Sequence, residues 1–216
     1  MSEQPTNADV IGIFGGTFDP IHQGHIQPIL EVAAQLRLNK VFLLPANIPP
    51  HKGTPSANSE QRKEMVEEVC LQYPIFALDD RELRRNSPSY TLLTLQEYKA
   101  QYPNSTLLFF IGTDSLLTLE RWYQAEKLLE LCHFVVTTRP GYNSDQLSSA
   151  FYQGRLTRNR DDLFHLPNGK IYLAQTSQID ISSTEIRQKL YSSNEANLFV
   201  PERVFDYIKR NKLYAK

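Results

Sequence analysis

Residues 13–25, IFGGTFDPIHQGH, set two adjacent glycines, a threonine and two histidines within one short stretch. Glycine lets a ligand approach the backbone closely and admits φ > 0, and a helix starting near Gly24 would aim unpaired N–H groups at an anion. His22 and His25 are three residues apart, so in a tightly wound turn both rings can face one ligand. Such a set can hold a phosphate and stabilise charge developing on it. Toward the other end, residues 178–190, QIDISSTEIRQKL, place Ser182 three positions before Glu185, the spacing of a capping box, which predicts a helix start. Its first turn would present the Ser183 and Thr184 hydroxyls, with Arg187 one turn in and suited to bidentate contact with phosphate.

Each piece alone has a plainer explanation. Gly15 and Gly16 could simply turn a strand into a helix, and the two histidines could be a satisfied turn histidine and half of a metal pair. A metal site would need more ligands at matching spacing, and no HExxH or carboxylate partner stands nearby. Trp122, the only tryptophan, and its neighbour Tyr123 are either core aromatics or a plane for a flat ring. Ser89-Tyr90-Thr91 reads as a helix start whose N–H groups would suit a carboxylate. Lys52, in a loop after two prolines, reads on its own as an exposed lysine.

These residues need a scaffold, and the hydropathy pattern supplies one. VIGIF (10–14) is a short apolar run ending in Gly15-Gly16, and residues 25–38 then carry apolar positions at helical spacing, with Pro28 tolerated near the first turn. KVFLLPA (40–46) returns to a buried strand, which completes a βαβ unit. The alternation continues with helix 59–73, strand 75–80, helix 90–102, strand 106–112, helix 125–132, strand 133–139 and strand 170–176, and helices 183–190 and 201–211 close it. That predicts an α/β, Rossmann-like doubly wound parallel sheet with helices on both faces. A single domain over residues 1–216 is expected, with a helical C-terminal portion from about 181; residues 140–170 lack a strong period and read as an excursion with a short helix.

Lys and Arg total 23 against 24 for Asp and Glu, so no global field draws a nucleic-acid backbone or an anionic membrane, and neither is expected as a partner. The opening MSEQPTNADV lacks the features of a signal peptide and no apolar run approaches a membrane span, so a cytoplasmic protein is expected. Cys70 and Cys132 read as two buried thiols.

Taken together, HQGH at residues 22–25 and ISSTEIR at 181–187 resemble the paired signatures of the nucleotidylyltransferase superfamily. Within it, PANIPPHK, SPSYT, FFIGTDSL, RWY and TTRPGY, in this order, are similar to the bacterial nicotinate-nucleotide adenylyltransferases. That family joins nicotinate mononucleotide to the AMP portion of ATP, releasing pyrophosphate and giving deamido-NAD. A phosphate monoester with a second pKa of about 6 is largely dianionic at neutral pH and needs no general base. The reaction needs in-line positioning and charge neutralisation, with Mg²⁺ carried mainly by the ATP phosphates.

The resemblance implies that His25 and His22 contact the ATP phosphates, that Gly15, Gly16, Thr17 and Phe18 seat the nucleotides, and that Ile181, Ser183, Thr184 and Arg187 hold the triphosphate. It places Gly112 and Asp114 beside the adenosine, Lys52 near the mononucleotide phosphate, and Thr17, Tyr90, Thr91, Trp122 and Tyr123 at the nicotinate nucleotide. Sister activities on nicotinamide mononucleotide, phosphopantetheine or a cytidylyl acceptor would use the same clamp. A class I aminoacyl-tRNA synthetase would need a basic tRNA-binding module that is not visible, and a non-catalytic nucleotide sensor would not need the charge-stabilising groups. Homo-oligomerisation is left open.

Overall fold

The computed structural model describes residues 10–47, 54–85, 89–138, 141–177, 179–192 and 197–214. Seven strands form one sheet in the order β3-β2-β1-β4-β5-β7-β6: β1 Val10–Gly16, β2 Val41–Pro45, β3 Phe76–Leu78, β4 Thr106–Gly112, β5 His133–Thr138, β6 Leu156–Thr157 and β7 Ile171–Gln175. The pairs β1·β4, β4·β5, β5·β7 and β6·β7 are all parallel, with Val10 opposite Thr106 and Phe14 opposite Phe110 in the first. The order reverses direction at β1·β4, the place where open α/β sheets bind ligands beyond the carboxyl ends of their strands. The expected doubly wound α/β fold is therefore present. Among the described residues no helix is long and apolar enough to cross a membrane.

The longer helices are α1 Gln23–Leu36, α2 Ser59–Gln72, α3 Thr91–Gln101, α7 Ser183–Ser192 and α8 Glu202–Arg210; α4 Thr113–Leu116, α5 Ala125–Leu129 and α6 Asp162–His165 are single turns. Helix α1 begins and ends earlier than its apolar pattern indicates. Its end is a Schellman turn, with Leu38 N–H donating to the Ala33 carbonyl, Arg37 N–H to Ala34, and Arg37 at φ 54 in the left-handed position that glycine usually fills. Without a glycine there, nothing in the sequence marks the stop. Pro28 lies in the second turn rather than the first, where its ring removes the donor to the Gly24 carbonyl. Helix α2 has a full capping box, Asn58 with Gln61. The short α4, the 3-10 turn at Leu119–Arg121 and the two-residue β6 have no periodic signal and were not expected.

The chain clusters into two compact units. One comprises residues 1–14, 29–41 and 90–177, and its core is built from Val32, Ala33, Leu108, Phe110, Phe134, Val136 and Ile171. The other comprises 15–28, 42–89 and 178–216, with Phe18, Ile26, Leu43, Met65, Val69, Ile186 and Val204 buried together with side chains of α8. There α2 and α8 are joined by the Arg203–Glu68 ion pair at 2.8 Å and by the Tyr207 hydroxyl donating to Glu64.

His133, wholly buried on β5, shows how its neighbours fix a protonation state. Its Nδ1 accepts the Lys170 N–H at 3.1 Å, so the ring proton sits on Nε2, which donates to the Leu166 carbonyl at 2.9 Å. Burial pushes its pKa down, and Lys170 and Lys99 act the same way against the opposing bond to Leu166 and the charge of Asp162. The unfolded chain therefore binds a proton that the folded chain refuses, so stability rises with pH in this window. Below about pH 6.5 the free energy of unfolding should fall as the unfolded histidine charges. Urea titrations between pH 7 and 5 should show a shallower fall for His133→Gln than for the wild type; parallel slopes would refute the assignment.

Candidate active site

The loop leaving β1 is shaped by sterics. Gly16 has an ordinary negative φ, and its need is a different one: a Cβ there would lie 2.6 Å from Cε1 of Phe18, whose ring folds back over it. The left-handed residue of the loop is Phe18 itself, at φ 54 and fully buried. Gly24 leaves little room for a Cβ, which would meet His22 Nδ1 at 3.0 Å and the Ile179 carbonyl at 3.1 Å. At Gly16 the expected freedom to take φ > 0 is thus corrected to a need for a bare Cα.

His22 and His25 stack, with ring centroids 3.6 Å apart and planes 28° from parallel, and Phe18 meets the His25 ring edge-on at 5.5 Å. The His22 carbonyl accepts the N–H groups of His25 and Ile26, which starts α1. His22 is 4 % exposed, and burial lowers its pKa from 6.5 to about 4 against the opposing charge of Glu185. It is therefore neutral near pH 7, and its Nδ1 is buried without a hydrogen-bond partner. An incoming anion would reverse this balance by favouring the imidazolium.

The capped helix α7 lies against the same loop. Ser182 N–H donates to Glu185 Oε2 at 2.8 Å and Glu185 N–H to Ser182 Oγ at 3.2 Å, so the capping box is present as expected. Ser183 Oγ donates to the Pro20 carbonyl at 3.1 Å, Arg187 Nη1 to the Asp19 carbonyl at 2.6 Å, and Arg187 Nη2 to Thr184 Oγ1 at 3.2 Å. Gly15, Gly16, Thr17, Phe18, His22, His25, Ile181, Ser183, Thr184 and Arg187 are all residues of one compact unit. Within that unit the two signatures meet directly.

Asp19 organises this junction. Its carboxylate accepts Ser56 N–H at 2.7 Å, Ala57 N–H at 3.0 Å and the Tyr214 hydroxyl at 2.7 Å, and lies 3.6 Å from Arg187 Nη1. Arg62, 1 % exposed, donates from Nη1 to the Thr17 carbonyl at 2.8 Å and to the Ala46 carbonyl at 2.7 Å, tying the loop after β1 to the loop after β2. Burial lowers the Arg62 pKa, with Asp19 and Tyr214 opposing.

Gly112, Asp114, Tyr90, Thr91, Trp122 and Tyr123 belong to the unit of residues 1–14, 29–41 and 90–177 and are described within it. Gly112 caps α4 and, with Asp114, is exposed at the carboxyl end of β4. Tyr90 is the N-cap of α3 and Thr91 its first residue, so the expected helix start is present. Trp122 is half-buried, edge-on to Phe134 at 6.2 Å, whereas Tyr123 is 52 % exposed and pairs with Tyr90 at 5.0 Å. The open aromatic face of this region is thus the tyrosine pair. Lys52 lies outside the described residues.

A family model described as cytidylyltransferase-like matches residues 13–189. Nicotinate-nucleotide adenylyltransferase of Escherichia coli O157:H7 is 45 % identical over 206 residues, covering 94 % of this chain and 97 % of its own. The chain belongs to the nicotinate-nucleotide adenylyltransferase family. Two structures of Plasmodium falciparum nicotinic acid mononucleotide adenylyltransferase, one complexed with NaAD and one with APC, share its fold with a TM-score of 0.68 each. Their identities are 23 % and 21 %, and each comparison covers 95 % of this chain and 97 % of the other.

Three residues of this adenylyltransferase junction were not singled out from sequence: Asp19, Arg62 and Tyr214. Arg62 carried a readable signal, because it shares the buried face of α2 with Met65, Val66 and Val69 at helical spacing. A cation heading an apolar stripe must find acceptors inside. Asp19 stood within the first motif, but its partners come from distant segments, and nothing local marked Tyr214.

Proposed function

We propose that this protein transfers the adenylyl group of ATP to the phosphate of nicotinate mononucleotide, forming deamido-NAD and pyrophosphate. The observation that carries the reading is the meeting of the stacked His22–His25 pair and the Arg187 helix at one loop, where imidazole, guanidinium and hydroxyl donors converge as phosphates require. One oxygen of the mononucleotide phosphate bonds to the α-phosphorus as the bond from that phosphorus to its bridging oxygen breaks. Pyrophosphate leaves with the electron pair.

In this reading His22 and His25 donate to the oxygens on which charge grows, while Arg187, Ser183 and Thr184 hold the departing diphosphate, with Ile181 beside them. Gly112 and Asp114 bound the adenosine. Tyr90, Thr91, Trp122 and Tyr123 receive the nicotinate ring and its carboxylate, and Lys52 neutralises the mononucleotide phosphate. Mg²⁺ enters as part of Mg·ATP and shields the triphosphate.

Pyrophosphate release from Mg·ATP, measured with nicotinate and nicotinamide mononucleotide in parallel, tests the reading. The acid should be favoured by about a hundredfold or more in kcat/KM, since donors built for a carboxylate are left unpaired by an amide. Preference for the amide would overturn the nicotinate assignment and keep adenylyl transfer. Absence of turnover with either would overturn the reaction.

A further inference from the structure

We propose that Tyr214 is a positioning residue of the phosphate site, its hydroxyl holding the Asp19 carboxylate so that Arg187 stays aimed at the triphosphate; this rests on the function proposed above. Helix α8 ends in a turn in which Leu213 N–H donates to the Ile208 carbonyl and Lys212 N–H to Lys209. Two non-glycine residues of that tail are left-handed, Lys212 at φ 51 and Tyr214 at φ 59. A bulky residue in that region is costly and persists where its surroundings over-determine it. Here the surroundings are the Asp19 carboxylate, 2.7 Å from the hydroxyl, and Met65 Sδ at 4.0 Å.

The Asp19 carboxylate has a choice of partners. Arg187 Nη1 donates to the Asp19 backbone carbonyl at 2.6 Å while standing only 3.6 Å from Oδ2. The carboxylate takes Ala57 N–H and the Tyr214 hydroxyl on Oδ1 and Ser56 N–H on Oδ2, and held by these three donors it leaves the guanidinium on the Asp19 carbonyl and Thr184 Oγ1. Removing the hydroxyl releases one oxygen to rotate onto Arg187 and draw it away from phosphate. Charge supports the same assignment. Arg62 and Arg187 stand against the Asp19 carboxylate, and a neutral phenol is a donor that adds no negative charge beside them. Burial beside Asp19 pushes the Tyr214 pKa up and keeps the phenol neutral.

The test compares wild type, Tyr214→Phe, Tyr214→His and, as a control that loosens α8 elsewhere, Arg203→Gln, which removes the ion pair to Glu68. Calorimetric Kd for Mg·ATP, KM for each substrate, kcat and Tm are measured. Tyr214→Phe should weaken the Mg·ATP Kd and KM about tenfold, leaving KM for nicotinate mononucleotide within about twofold, and Tyr214→His should recover part of the loss by restoring a donor. Arg203→Gln should lower Tm and leave the Mg·ATP Kd unchanged. A Tyr214→Phe protein with lowered Tm and normal Mg·ATP Kd would overturn the inference, as would an equal loss for both substrates. Wild type that binds Mg·ATP without turning it over would overturn the proposed function instead, with the Kd comparison still deciding the role of Tyr214.

Discussion

Replacing His25 by alanine is expected to lower kcat by about a thousandfold while changing the Kd for Mg·ATP by less than about threefold. The His25 ring sits in the first turn of α1 and is stacked on a neutral, buried His22, with Phe18 closing its edge. A donor fixed this way costs no reorganisation when negative charge develops on a phosphoryl oxygen. Loss of one such donor typically lowers kcat by about 10² to 10³, because its bond strengthens chiefly in the transition state. Ground-state affinity would persist through Arg187 and the hydroxyls of α7. Single-turnover rates and calorimetric Kd on the purified variant separate the two effects. Full turnover in His25→Ala would remove the residue from the reaction.

Asp19→Ala should be the most destabilising single change at the site, by about 3–5 kcal/mol, since it leaves the buried Ala57 N–H without its acceptor and the buried Arg62 without its counter-charge. Ser56 N–H, Ala57 N–H and the Tyr214 hydroxyl would lose their acceptor, and Arg62 and Arg187 their counter-charge. Asp19→Asn should cost less. Its oxygen can keep Ala57 and Tyr214, which both donate to Oδ1, while the new amide faces Ser56 N–H in place of Oδ2. Urea unfolding at pH 7 orders the three proteins. An Asp19→Ala protein within about 1 kcal/mol of wild type would show that the junction is not held by this carboxylate.

How much of this was legible beforehand follows the range of each interaction. The six longer strands and the five longer helices announce themselves through apolar period, and the capping box of Ser182 and Glu185 through spacing alone. Features spanning two to four residues carry no period, so β6 and α4 were silent, and Arg37 ends α1 in a conformation for which arginine gives no hint. At the site, motif residues were readable because their chemistry is local to each motif. The contacts joining the motifs run between residues 19, 56, 62, 187 and 214, a closure that only the folded chain defines. The reason for Gly16 was hidden similarly, since it depends on where the Phe18 ring lies.

The anchoring of Arg187 also has an entropic consequence. A free arginine side chain carries roughly 1.5–2 kcal/mol of rotamer entropy, which a binding site must remove when it orders the group around an anion. With Nη1 on the Asp19 carbonyl and Nη2 on Thr184 Oγ1, folding has already removed most of that freedom. Nucleotide capture then draws on a guanidinium whose orientation is set in advance, so association is not slowed by a search among rotamers.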